Sequence, residues 1–193
     1  DIESGYASNI SILEENTKQL IDAGISGINI EDSAHNDNNI TSVITQCKKI
    51  SSIRNTASKM GGPLCSNART DIDLKAHDLS AEEKLSETIR RGKAYKDAGA
   101  DGFYPIFIKE EIAMESIVKE VGLPVNILML PGIPDFEALQ AVGIARVSLG
   151  PGFLKIAINS MKNIAEKLLR NEGMQEVTDN PVTSAYLNTL ISK

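Results

Sequence analysis

Short apolar runs alternate with longer stretches of helical period along the whole chain. Ile10, Leu13, Thr17, Leu20 and Ile21 share one helical face, and Leu85, Ile89, Gly92 and Tyr95 share another. Ser80 followed by Glu83 reads as a capping box at the start of the second of these helices. Further helices are predicted over 39–60, over 134–141 with Pro134 at its first turn, over 156–171 and over 182–191. Three stretches repeat one plan of helix end, glycine and compact apolar strand: DAGISGINIED (22–32), DAGADGFYP (97–105) and AVGIARVSLG (141–150). Gly24, Gly99 and Gly143 suit the left-handed residue that closes a helix. The runs that follow are short and apolar, as strands buried on both faces of a parallel sheet are. PLCSNART (63–70) and LPVNILML (123–130) add two more strands.

Strand ends then fall near Asp1, Ile30, Ala68, Pro105, Leu128 and Val147, each followed by a helix. Strict alternation predicts a parallel α/β architecture. A (β/α)8 TIM barrel needs eight such units and typically ~250 residues. The expectation is therefore a barrel lacking its first two βα units, with strands 3 to 8 over 1–171 and a helical extension over 172–193. An open doubly wound sheet is the competing architecture, but no glycine-rich dinucleotide loop follows a first strand.

Composition narrows the function. The chain has 193 residues, 41% of them hydrophobic, and a net charge of -6. That acidity, without a basic run, argues against a nucleic-acid surface, and no apolar stretch approaches a membrane span. Cys47 and Cys65 lie far apart outside any CxxC pattern, which fits a reducing, cytoplasmic setting. Aromatic residues are 4%, too few for an aromatic cage or a base-stacking platform.

The chemistry gathers at the predicted C-terminal strand ends, where barrels carry their active sites. Asp1 and Glu3 end the first strand, Glu31 and Asp32 the next, and Asn67, Arg69, Thr70 and Asp71 the one after. Carboxylates from neighbouring strand ends suit a hard divalent cation that keeps several waters. Arg69 adds a planar fork for a carboxylate or phosphate. Each group also has a plainer reading: a solvated terminus for Asp1 and Glu3, a helix cap for Glu31 and Asp32, an ion pair with Glu31 for Arg69.

DIESGY, GINIED, NARTD, AGADGFYP, LPVNILMLPGIP and GIARVSLGP, in that order, resemble the signature stretches of the phosphoenolpyruvate mutase/isocitrate lyase superfamily. The resemblance runs from Asp1 to about Arg170. It implies a barrel whose last helix is swapped between subunits of a homodimer or homotetramer. It also implies Mg2+, with Mn2+ as a substitute, and a small-molecule 2-oxo acid substrate that passes through a pyruvate-like enolate. Carried over by position, Asp1 resembles the direct metal ligand, and Glu3 and Glu31 the acids that hold the metal's waters. Arg69 resembles the substrate-carboxylate contact, and Asn39 and Asn126 further substrate contacts. Glu3 stands where many members have Asp, one methylene shorter.

Departures from the pattern matter as much. The segment SAHNDNNI (33–40) has no cysteine where the methylcitrate and isocitrate lyases carry one in a Lys-Arg-Cys-Gly context. Cys47 is instead expected in the core. Asp37 falls where phosphoenolpyruvate mutase has a lysine, and FYPIFI lacks a sixth-strand His or Glu. His35 and His77 read as exposed side chains. The expected activity is C–C or P–C bond cleavage of an oxaloacetate- or methylisocitrate-like acid, with Glu31 and Arg69 carrying the catalysis. Two other readings stay open: a keto-acid-binding member without turnover, and a sugar-phosphate aldolase or isomerase using SLGPG (148–152) for phosphate.

Overall fold

The computed structural model describes residues 1–33 and 39–191. β1 (Gly27–Glu31), β2 (Cys65–Thr70) and β3 (Gly102–Pro105) form a parallel sheet in that order, and β4 (Asn126–Leu128) pairs in parallel with β5 (Arg146–Ser148). An isolated parallel bridge from Phe103 to Val125 carries β3 over to β4. On the far side of β1, the Ile2 N–H donates to the Asn29 carbonyl at 3.1 Å and the Glu31 N–H to the Glu3 carbonyl at 2.8 Å. The first residues therefore pair as a strand end although they turn away too soon to form a regular strand. Among the described residues the pairing follows sequence order without reversal. A doubly wound sheet requires such a reversal, so that alternative is excluded. The same pairing does not close: nothing joins β5 back to residues 1–3 among the described residues. The structure is thus an α/β fold with partial parallel sheets, not a closed eight-stranded barrel.

Helices fill the connections. α1 (Ile10–Asp22) starts at Asn9, whose side chain accepts from the Ile12 N–H. α2 (Val43–Met60) starts later than the periodicity suggests, because the Ser42 side chain accepts from the Thr45 N–H and stops the helix there. α3 (Ile72–Lys75) is a single turn, and α4 (Ala81–Asp97) opens with the full Ser80–Glu83 capping box. α5 (Glu111–Val121) follows β3. α6 (Phe136–Ala141) is capped by Asp135, so Pro134 lies ahead of the helix and not in its first turn. The glycines at 24, 99 and 143 all take positive φ, at 80°, 100° and 87°.

Two compact units divide the chain at Ser148/Leu149. The first holds the sheets and their core, in which Leu13, Ile30, Ile50, Ile53, Tyr95, Phe103, Met114, Ile117 and Ile127 are buried. The second holds α7 (Gly152–Leu169), α8 (Met174–Thr178) and α9 (Ser184–Ile191), none of which buries a residue. Cys47 is half-buried against the core and Cys65 is exposed; both thiols are free. Among the described residues no helix is long and apolar enough to cross a membrane.

Gly92 sets how closely α4 can approach the sheet. A Cβ there would sit 2.7 Å from a Val121 methyl and 2.9 Å from the Phe103 ring. Alanine would gain helix propensity of about 1 kcal/mol, but overpacking costs about 1–3 kcal/mol. Gly92→Ala is therefore expected to lower stability, read as a reduced urea midpoint with an unchanged slope.

Candidate active site

Strand register puts a polar row on one level. Glu31 pairs with Arg69, and Arg69 with Tyr104. The Phe103–Val125 bridge brings Tyr104 level with Asn126, which in turn pairs with Arg146. Partners in a parallel ladder share a face, so this row crosses five strands. Within it, Arg69 Nη1 lies 2.8 Å from Glu31 Oε2, and Arg69 Nε donates to Asp71 Oδ1 at 2.7 Å. Burial pushes the Glu31 carboxyl above its usual range; Arg69 pulls it back, while Asp71 and Glu3 push it further up. The ion pair expected of Arg69 is thus present, and it uses Nη1 and Nε of the guanidinium.

Asp32, one residue on, does something different. It has no solvent exposure. Its Oδ2 accepts from the Thr70 hydroxyl at 2.7 Å, Arg91 Nη1 at 2.9 Å and the Tyr95 hydroxyl at 2.7 Å, and its Oδ1 accepts from the Asp71 N–H at 2.9 Å. Neither Glu31 nor Asp32 caps α2, because Ser42 does. Burial, together with the Asp32 charge, holds the Tyr95 phenol far above its ordinary pKa, so it remains a donor. Arg91 also donates to the Thr41 carbonyl at 2.9 Å, and the Thr41 N–H donates to the Asp32 carbonyl at 2.6 Å. With the Ser33–Ile40 bridge, these bonds fix both feet of the 33–40 segment. Asn39 is exposed beside Ile40 at one foot. His35 and Asp37 lie outside the described residues, and His77 is exposed.

Residues 1–6 form a bent edge beside Glu31. Glu3 and Tyr6 hold positive φ of 46° and 48°, a costly conformation for residues with a side chain. Gly5 has φ 105°, and a Cβ there would meet a Leu13 methyl at 2.6 Å. The bend is held by Lys49, which donates to the Ser4 carbonyl at 3.0 Å, and by the Asn16 amide, which donates to the Gly5 and Tyr6 carbonyls at 3.1 Å. Asp1 is exposed, and its Oδ1 accepts from the Glu3 N–H at 2.9 Å. Among the described residues no three His, Cys, Asp or Glu side chains converge as a ready-made metal site. The donors nonetheless fit a hard divalent cation in kind, as carboxylate oxygens, and Glu3 and Glu31 stand close enough to repel.

Asn126 is buried, and its side-chain amide lies 3.0–3.1 Å from the Ser148 hydroxyl, linking β4 to β5. Tyr104 and Arg146 were not singled out from the sequence as site residues. Tyr104 is buried, which raises its phenol; a hydrogen bond with Ser148 and the charges of Arg69 and Arg146 pull it down, against Asp71. Only the register could have found these two residues, because each sits in an otherwise ordinary strand.

The phosphoenolpyruvate phosphomutase family profile matches residues 1–169. The chain belongs to the phosphoenolpyruvate mutase/isocitrate lyase superfamily. It is 32% identical to an uncharacterized protein of Mycobacterium tuberculosis over 151 residues, covering 78% of this chain and 53% of that one. It is 26% identical to the 2-methylisocitrate lyase of Escherichia coli over 189 residues, covering 91% of this chain and 60% of the lyase. The chain therefore spans little more than half the length of these relatives. A solved structure from Burkholderia cenocepacia J2315 superposes on all of this chain and 68% of its own, with 26% identity and a TM-score of 0.86. Phosphonopyruvate hydrolase, solved with oxalate and Mg2+, shares the fold at a TM-score of 0.79 and 20% identity, over 98% of this chain and 66% of its own. The superfamily comprises Mg2+-dependent lyases and mutases that act on oxo acids.

In this superfamily member, Asp32→Ala would strip a buried arginine of its counter-charge, a change that typically costs about 3–5 kcal/mol. Arg91 keeps Glu87, 2.8 Å away, so the lower end is expected. Equilibrium urea unfolding would register it as a loss of about 3 kcal/mol.

Proposed function

We propose that this chain supplies the strand-end machinery of a Mg2+-dependent lyase or mutase. The substrate is a 2-oxo acid, oxaloacetate-like or methylisocitrate-like, cleaved at a C–C or P–C bond through a pyruvate-like enolate. The observation that carries the reading is the Glu31–Arg69 pair at 2.8 Å on adjacent strand ends, with Glu3 acting on the same carboxylate. Asp1 would hold the metal directly, and Glu3 and Glu31 would hold its waters. Bound there, Mg2+ or Mn2+ supplies Lewis-acid stabilisation of negative charge as the bond breaks. Arg69 uses its remaining guanidinium edge to orient the substrate carboxylate, and its charge favours an enolate over the keto form. Asn39 and Asn126 contribute polar contacts to the substrate from the 33–40 segment and from β4. Glu31 keeps Arg69 aimed; without it, the guanidinium is free to turn to Asp71 alone.

The 33–40 segment carries no cysteine. That favours a reaction needing little acid catalysis from the segment, such as decarboxylation or hydrolysis of an oxaloacetate-like acid. It equally supports a keto-acid-binding protein without turnover, and the two readings share one site. The helices of the second unit expose Phe153, Leu154, Ile156, Met161 and Leu169. Exposed apolar surface of this kind favours a homodimer or homotetramer that covers it by exchanging helices between subunits.

Calorimetric titration of oxalate into the full-length protein tests the site. Binding is expected to require Mg2+ and to weaken at least about ten-fold in Glu31→Gln, the loss of roughly one charge-assisted contact. Metal-independent binding, or a Glu31→Gln variant that binds as wild type, overturns the assignment. Across a panel of 2-oxo acids, turnover that disappears in Glu31→Gln marks an enzyme. Tight binding without turnover marks the binding protein.

A further inference from the structure

Arginines in this chain are almost all spoken for. Of the six, Arg54 pairs with Asp101, Arg69 with Glu31 at 2.8 Å, Arg90 with Glu87 at 2.6 Å, Arg91 with Asp32 at 2.9 Å and Arg170 with Glu172 at 3.5 Å. The Arg146 guanidinium alone has no ion pair and no hydrogen bond among the described residues, although its backbone N–H donates to the Val125 carbonyl at 3.2 Å. It is exposed, and it occupies the fifth position of the polar row, directly across from Asn126.

Its neighbours on that row are neutral hydrogen-bonding groups. Asn126 is 2% exposed and Tyr104 4%. The Ser148 hydroxyl stands within 3.1 Å of the Asn126 amide and also bonds the Tyr104 phenol. Arg69 on β2 and Arg146 on β5 both lower the Tyr104 phenol through their charges, and β3 stands between those two strands in the row. The carboxylate that also acts on Tyr104 is Asp71, and it is already bound to Arg69. A cation with no counter-charge among the described residues, flanked by neutral hydrogen-bonding groups, is a place where an anion gains a charge-assisted contact. One guanidinium balances one negative charge and matches the two oxygens of a carboxylate.

We propose that Arg146, with Tyr104 and Ser148, is a second anion subsite that holds the distal carboxylate of the substrate. Arg146 is then the residue that separates dicarboxylic 2-oxo acids from monocarboxylic ones. The proposal rests on the enolate reading for the other end of the substrate, where Arg69 works.

The test compares two ligands in the full-length protein with Mg2+. Oxalate fills only the enolate end, whereas 3,3-difluorooxaloacetate also carries a distal carboxylate. Arg146→Gln is expected to weaken difluorooxaloacetate roughly ten- to a hundred-fold, the range for losing a charged hydrogen bond. Oxalate affinity should stay within about two-fold by the same reasoning, and Arg146→Lys should recover part of the loss because it restores the charge without the fork. Oxalate binding and the melting temperature of each variant report that it is folded. A folded Arg146→Gln variant that treats both ligands alike, whether by losing both or neither, overturns the subsite while leaving the enolate reading intact. If wild-type protein shows no Mg2+-dependent oxalate binding, the enolate reading falls. Arg146-dependent binding of difluorooxaloacetate would then still support the subsite, and its absence would overturn it as well.

Discussion

The carboxylate of Asp32 is cut off from water and accepts four hydrogen bonds, and the strand ends are arranged around it. A buried charge is tolerated only when it is paired and every lone pair is engaged. Meeting that condition fixes the end of β1 to the end of β2 through Thr70 and Asp71. It also draws α4 onto both through Arg91 and Tyr95. The same Arg91 holds the Thr41 carbonyl, so the far foot of the 33–40 segment is placed by the same charge. Everything proposed for the site depends on where β1 and β2 stop, and Asp32 decides that.

Neighbouring acids therefore do opposite work. Successive side chains along a strand point to opposite faces. Asp32 turns to the helix layer, where it is neutralised completely. Glu31 turns to the row that includes Arg69 and Tyr104, where its neutralisation is partial and Glu3 and Asp71 press on it. Polar groups under such strain are the ones a ligand can relieve. Across that row the charge changes character, from crowded carboxylates beside residues 1–3 to a guanidinium on β5 that has no ion pair among the described residues.

Much of the framework was legible in the chain. Gly24, Gly99 and Gly143 mark helix ends because each must take a positive φ, and all three do. Ser80 and Glu83 announce the start of α4 because their side chains and backbones can satisfy one another locally. Short runs buried on both faces placed the strand ends near Ile30, Ala68 and Pro105; β3 ends at Pro105, while β1 runs one residue further, to Glu31, and β2 two further, to Thr70. Boundaries were less secure where two polar residues compete to cap a helix. Ser42 stops α2 four residues short of the extent that periodicity suggested, and Asp135, not Pro134, sets the start of α6.

Site residues divide along the same line. Glu3, Glu31 and Arg69 could be named because acids and an arginine at predicted strand ends are conspicuous against apolar neighbours. Whether Glu31 or Asp32 would face the row, and whether either would cap α2, could not be read. Tyr104 and Arg146 gave no local signal, and they become neighbours only when β3, β4 and β5 pair in register. Local periodicity, capping and glycine placement depend on residues a few positions apart, so the sequence by itself determined the order of elements and the chemistry at their ends. Register and burial depend on hydrogen bonds between strands separated by tens of residues, so which of those groups meet and which are neutralised is settled by the tertiary structure alone.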